Sequence, residues 1–572
     1  MLPETGMDFE AYAAQSVEMR DIFAGRKPCD LIIRNGRTVN VFTGEILSHP
    51  VAIHKGEILA FEDLPAVESF DAQGLFITPG FADCHIHIES SMLSPPEFAR
   101  AVIRRGTTAV FADPHEISNA LGEEGFRYML DATESLPLDF YFLVPSCVPA
   151  TPFETAKGDF PAEVVARLAS GRRVLGLAEF MNFPGVLAAD RSCLEKLWRF
   201  RDGIVDGHAP LVAGRDLSHY IAAGIGSDHE TTSLEEGREK LRKGMFLYLR
   251  EGTSARNLKD LAPLITAASA CRLGFASDDR SPEDIHRKGH MDDILRQAVR
   301  CGIEAVTALR MACLSPFEHF RIYDRGALAP GYRADLILLE DLRDFGVKAV
   351  AKDGRWVWRD DRYTVSFMPG KGHPGLSSMK IPAADVLREK LVVRADGTRL
   401  NVIGIVPGQI LTEKKERKLS QNGGIRDARE LGLTKVAVIE RHRGTGNVGV
   451  AFVEGLGIEE GAIASTVAHD SHNIIVAGAS DDDILRAVEV LRDTGGGIVV
   501  IRRREILGFL PLPIGGLMSE KPFEEVAALH EDLHNAFMYL SFLALPVIPH
   551  LKVTDRGLFD VDRFEFIPLT RT

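Results

Sequence analysis

The sequence predicts an α/β fold: a (β/α)8 TIM-like barrel, a flanking small β-sandwich and a C-terminal α/β domain. Three observations predict it. Between residues 79 and 320, eight short apolar runs alternate with helical patterns, the signature of parallel strands with crossover helices. Six polar side chains able to bind metal stand at the ends of five of those runs. Short alternating strands before the barrel find a counterpart after it. A chain of 572 residues has room for two to four such units at about 100–200 residues each.

In chain order, residues 31–78 read as a small antiparallel β unit, its runs (LIIRNG, TVNVFTG, VAIHKGEILAF, LFITPG) each ended by Gly, Asn or Pro. The barrel strands are GFADCHIHI, TTAVFADP, DFYFLVPS, RVLGLAEF, GIVDGHAP, AAGIGSDH, MFLYLREG and RLGFASDD. Helical patterns such as PPEFARAVIRRG, PAEVVARLASG, LEEGREKLRKG and MDDILRQAVRCG lie among them. ADLILLED and VKAVAKDGRWVWRD then return to short strands and complete the first β unit. PGKGHPG (369–375) is a linker. The expected domains are therefore 1–78 with 321–380, the barrel at 79–320, and a last region at 381–572 with strands VAVIER and GGGIVVI and the helix DDDILRAVEVLRDTG.

Composition excludes several classes. A hydrophobic fraction of 45% and a charged fraction of 26% are globular values. A net charge of −14 disfavours nucleic acid and anionic membrane as partners. Seven cysteines with no CxxC pair argue for a reducing compartment, and no signal peptide or spanning segment is read, so the expectation is a cytoplasmic protein acting on a small molecule, as a homo-oligomer. LPETG at 2–6 resembles a sorting motif but stands at the wrong end of the chain.

The chemistry is read from polar residues inside apolar strands, where an imidazole or carboxylate is costly unless paired or metal-bound. His85 and His87 end the first barrel strand, and period two puts both on one face. Glu179 ends the fourth, His208 the fifth, His229 the sixth and Asp278 the eighth. All six fall on the face where barrel enzymes carry their sites. Four imidazoles and two carboxylates exceed one tetrahedral site and suit two borderline divalent ions such as Zn2+, Fe2+ or Mn2+, sharing a bridging carboxylate.

PGFADCHIHIE and the four later ligands resemble the metal-centre pattern of the amidohydrolase superfamily. DCHIHIESSM, ADPHEISN, GLAEFMNFPGV, DGHAP, SDHE, REGTSARN and ASDDR, with HDSHNIIVAG and FLPLPIGGLMS, are similar to the bacterial adenine deaminases within it. Members with dihydroorotase- or hydantoinase-like activity bridge their metals with a lysine from strand four, where this chain has Glu179 and no lysine. The resemblance implies hydrolytic deamination of adenine to hypoxanthine and ammonia in purine salvage, with Mn2+ or Fe2+ in the centre (Zn2+ also compatible), by a metal-activated hydroxide attacking C6. The alternative is another amidohydrolase acting on a related aminopurine or a cyclic amide. Asp278 is the candidate proton acceptor. Glu89, two residues past His87, is expected on the same strand face as a catalytic or substrate contact.

Further candidates are less specific. Glu230 and Asp279 adjoin ligands, although strand alternation would turn them away from the pocket; Arg250 could hold the purine or form an ion pair with Glu251. His115, and His469, Asp470 and His472 in AHDSHN, could support the site from behind, bind a further metal or form a lid. Two motifs are read as decoys. His530-Glu531-Asp532-Leu533-His534 matches a zinc-protease HExxH but is explained by an acidic surface helix, and the GxGxxG at 444–449 is followed by strand-like sequence, hence a turn.

Overall fold

The computed structural model describes residues 8–368, 376–393, 397–406, 412–419 and 428–571; LPETG and the 369–375 segment lie outside them. Eight parallel strands form the centre: β1 (Phe81–Ile86), β2 (Thr107–Ala112), β3 (Asp139–Val144), β4 (Val174–Phe180), β5 (Ile204–Gly207), β6 (Ser227–Asp228), β7 (Phe246–Arg250) and β8 (Leu273–Ala276). β1 to β5 pair in sequence order, as do β6 to β8. Backbone hydrogen bonds close both seams. Gly226 N–H donates to the Val205 carbonyl at 3.1 Å, Asp278 N–H to His85 at 3.0 Å and His87 N–H to Asp278 at 3.3 Å. The result is a TIM-like barrel, with a strand at each of the eight apolar runs.

Neighbouring side chains within a strand enter different cores. Phe111, Ala178, Phe246 and Tyr248 pack with Phe317 and Phe320, whereas Val110, Leu177 and Leu247 pack in the larger core shared with the helices. The polar strand ends are thus presented from a rigid apolar wall.

The β-sandwich is drawn from both sides of the barrel. A four-stranded sheet holds Cys29–Arg34, Val51–His54, Glu57–Ala60 and Ala66–Asp71. In the facing seven-stranded sheet, Phe76–Pro79 pairs antiparallel with Leu336–Leu339, so chain entering the barrel hydrogen-bonds to chain leaving it. Leu31, Ile33, Ile53, Ile77, Leu336 and Leu338 fill the space between the sheets.

The last region is built on one large, mostly antiparallel sheet that includes Thr434–Ile439, Val448–Glu454, Ile474–Gly478 and Gly497–Arg502. Helix Asp481–Thr494, capped by Ser480, covers one face through Ile484, Val488 and Leu491. The GxGxxG segment is a turn leading straight into strand Val448–Glu454, and no helix opens there. Two further helices matter for the site: α1 (His115–Leu121) after β2, and α2 (Phe523–Phe542) between this sheet and the barrel mouth.

Candidate metal centre

The structure brings the six strand-end residues together. Five are buried and His208 is half-buried. Glu179 stands at the middle: its Oε1 lies 3.3 Å from His87 Nε2 and 3.7 Å from His85 Nε2, and its Oε2 lies 2.6 Å from His208 Nδ1 and 3.4 Å from His229 Nε2. Each oxygen of one carboxylate thus faces its own histidine pair. Asp278 Oδ1 joins the first pair, 3.1 Å from His87 and 3.6 Å from His85. Asp278 sits just past β8 with φ +52°, a left-handed conformation costly for a non-glycine residue, and the two backbone bonds of the β8–β1 seam hold it there.

The hydrogen bonds behind the histidines decide what these atoms can do. His87 Nδ1 meets the Asp113 carbonyl at 3.0 Å, which can only accept, so Nδ1 carries the proton. His85 Nδ1 meets the Asp206 carboxylate at 3.2 Å, and Asp206 also accepts from Ser227 and from Gly207 N–H. Both Nε2 atoms are therefore left with lone pairs, and they face each other at 3.2 Å. Opposed lone pairs repel unless a cation lies between them, and carbonyl and carboxylate backing of this kind orients metal-bound histidine. Burial would raise both carboxyls. Instead His229 and His208 hold Glu179, and Arg250 holds Asp278, well below the usual carboxylate range. The site is anionic, mixed N/O and fitted to divalent metal.

The remaining candidates sort by contact. Arg250 bridges Asp278 Oδ2 (2.7 Å) and Glu230, so it orders carboxylates. Glu230 faces the centre, 3.5 Å from His229 and 3.8 Å from His208, contrary to the alternation argument. The reason is that β6 ends at Asp228, and period two does not extend past it. Asp279 accepts from Ser90 on the mouth side. Glu89 likewise is not on the strand, which ends at Ile86. It lies in a 3-10 turn, Ile88–Ser91, where its Oε1 accepts Ile117 N–H of α1 at 3.0 Å. Its Oε2 is buried with no hydrogen-bond partner among the described residues, and burial pushes the group up to about 7. His115 packs on His87 with ring centroids 4.5 Å apart and bonds Asp113 Oδ2 at 3.0 Å. Glu251 accepts Leu258 N–H and forms no ion pair with Arg250 in this geometry.

His469, Asp470 and His472 come from the C-terminal sheet and lie over the barrel mouth. His469 Nδ1 is 2.7 Å from Glu116 Oε1 of α1, and His472 Nε2 bonds Glu116 Oε2. His472 Nδ1 accepts Ala468 N–H at 3.1 Å, so Nε2 carries the proton and donates to Glu116. A ring fixed in that tautomer is a latch between barrel and C-terminal sheet. His469 also lines a cavity of about 100 Å³ with Ser90, Asp279, Phe537 and Phe542.

The HExxH segment lies on α2, whose Phe523, Val526, Leu533, Phe537 and Leu540 are buried, making it a packed wall of the mouth where a surface helix was expected. His530 faces Glu283 at 3.3 Å and Glu531 pairs with Arg287; the side chain of His534 lies outside the described residues.

Sequence reasoning missed Asp113, Asp206, Glu116 and Glu154. Asp113 and Asp206 stand at or near the ends of β2 and β5, and the test that found Glu179, a charge in an apolar strand, would have found them. Glu154 lies in the irregular chain between β3 and β4, where no periodicity marks it.

Comparison with known proteins agrees with this architecture. Residues 76–357 match the amidohydrolase family, and residues 409–565 match the adenine deaminase C-terminal domain. The chain is 44% identical to adenine deaminase 2 of Carboxydothermus hydrogenoformans, with 97% of this chain and 99% of that one aligned. It is 48% identical to an adenine deaminase of Nitratidesulfovibrio vulgaris over 96% of this chain and 98% of that one, and 44% identical to one of Desulfatibacillum aliphaticivorans over 95% and 98%.

Proposed function

The chain belongs to the adenine deaminase family of amidohydrolases, and we propose that it hydrolyses adenine to hypoxanthine and ammonia at the centre around Glu179. The observation that carries the reading is the Glu179 carboxylate, each oxygen of which faces a separate histidine pair. His85, His87 and Asp278 would hold one divalent ion, His208 and His229 a second, with Glu179 between them; Mn2+, Fe2+ and Zn2+ all suit this donor set. Ions bound there supply the Lewis acidity that makes a water nucleophilic near neutral pH.

The chain's own residues supply the rest. Asp278 is the proton acceptor: its Oδ1 points at the histidines, and Arg250 on Oδ2 keeps it ionised. Hydrolysis adds water at C6 and expels ammonia, so a proton taken from the water must reach the departing amine, and Asp278 is placed to carry it. Glu89 offers an unpartnered buried oxygen beside the centre for a purine N–H. Glu230 and Arg250 keep the carboxylates aligned, and α2 with the 469–473 turn excludes bulk water from the mouth.

The division into 1–78 with 321–380, 79–320 and 381–572 makes the barrel the chemical unit and the last region its cover. The reading places the enzyme in purine salvage in the cytoplasm, a reducing compartment that suits its seven unpaired cysteines. The exposed Phe9, Tyr12 and Phe23 of helix Phe9–Phe23 support self-association. The test is ammonia release by metal-loaded protein from adenine, adenosine, cytosine and guanine, with elemental analysis alongside. Release from adenine and two ions per chain are expected; activity on another base alone, or one ion or none, would overturn the corresponding part.

A further inference from the structure

We propose that Asp470 and Glu154 form the recognition pair for the purine's N3/N9–H edge, so that the C-terminal region selects the free base over its nucleoside. The inference rests on the deaminase reading above and adds who reads the base.

Two buried carboxyl oxygens carry it. Asp470 is 6% exposed and Glu154 is 2% exposed, and Asp470 Oδ2 and Glu154 Oε2 have no hydrogen-bond partner among the described residues. Leaving such atoms unpaired is costly, so a site that keeps them is built for a ligand that supplies the partner. His115 lies 3.6 Å from Glu179 and 3.7 Å from Glu116, and Glu116 holds His469 next to Asp470. Asn473 of the same turn reaches the Thr155 carbonyl next to Glu154, whose Oε1 accepts from Thr151 at 3.4 Å and whose carboxyl is also bonded by Ser471. The order from the metal centre outward is therefore Glu179, Asp470, Glu154. In adenine, C6 and the N3/N9–H edge are on opposite sides of the ring system. A base with C6 over the centre turns that edge away from it, in the direction of the pair.

The segments that carry both side chains are fixed in place from behind. The turn carrying Asp470 is anchored by the fully buried Arg441, which donates to the His472 and Gly515 carbonyls, by His442 on the Ser471 carbonyl (2.7 Å) and by the two histidines on Glu116. The loop carrying Glu154 is anchored where Thr155 N–H and Oγ1 donate to Asp555 at 3.0 and 2.8 Å, and where Asn473 donates to the Thr155 carbonyl at 2.9 Å. Burial pushes Asp470 up to about 6, and burial with the neighbouring Asp470 pushes Glu154 well above the carboxylate range. In the proposed pair Glu154 is the donor and Asp470 the acceptor. The N3/N9–H edge presents the matching acceptor and donor. A sugar on N9 removes the donor and occupies the space of the pair.

Metal-loaded wild type should prefer adenine over 9-methyladenine by on the order of 10⁴-fold in kcat/KM, the range for sites that hydrogen-bond a missing N–H. 3-Deazaadenine should lose at least about tenfold. Asp470→Ala and Glu154→Ala should raise KM for adenine more than they lower kcat, and shrink the adenine to 9-methyladenine ratio by at least about tenfold. Wild type that takes 9-methyladenine as readily as adenine, or active variants with an unchanged ratio, would overturn the proposal. Failure of the deaminase reading shows differently, as no ammonia from adenine. Calorimetric binding of adenine against 9-methyladenine then still judges the pair.

Discussion

Glu179 and Glu116 are both buried carboxylates that face imidazoles, yet they belong to opposite kinds of structure. Around Glu179, His85 and His87 give their Nδ1 protons to Asp206 and to the Asp113 carbonyl, so their lone pairs converge. At Glu116, His472 accepts a backbone N–H on Nδ1, so its proton points inward and completes a hydrogen bond. The first cluster has the geometry of a cation site, whereas in the second the His472 proton already completes a hydrogen bond. The residue types are shared; the atom behind each ring decides. A list of histidines and carboxylates within reach of one another therefore says little until the tautomers are fixed.

That contrast can be broken in four places. Asp278→Asn keeps the shape at the Glu179 cluster but removes the basic oxygen, and kcat on adenine should fall by about 10²–10⁴-fold. Metal content must be measured beside it, since full rate with both ions would end the general-base role. Asp206→Asn leaves all six proposed ligands in place and alters only what stands behind His85; metal affinity should drop about 10–100-fold by competition with a chelator. If affinity holds, the tautomer argument is wrong. Glu116→Gln at the other cluster should leave two ions bound and cost on the order of 1.5–3 kcal/mol of stability, read as a lower unfolding midpoint. Loss of an ion there would make it a metal site after all. Glu531→Gln should change stability by no more than about 0.5 kcal/mol and leave ammonia release intact, and a hundredfold loss would move the active site to α2.

How far the sequence could be read follows the same physics. The barrel was legible because an apolar strand of five or six residues flanked by helical periodicity has few other uses, and the six candidate ligands because charge interrupts apolar runs at their ends. Glu230 and Glu89 were misplaced for one reason: period-two reasoning was carried past the point where the strand stops, at Asp228 and at Ile86. Glu116, Glu154 and Asp470 were weakly legible or illegible because their meaning is tertiary. Glu116 is an ordinary first-turn carboxylate until His469 and His472 arrive from more than 350 residues away. α2 was read as a surface helix because its acidic residues dominate the motif, although its apolar residues face two partners at once.

The pairing of Phe76–Pro79 with Leu336–Leu339 sets a timetable for the nascent chain. At ribosomal speeds of roughly 5–20 residues per second, the roughly 250 residues between the two strands take on the order of 10–50 seconds to emerge. During that interval Phe76–Pro79 has an open edge, with Phe76 and Ile77 available to pair with other extended chains. Vectorial synthesis thus delivers the barrel before the sheet that braces it, and truncated or stalled chains would expose the strand most prone to mispairing.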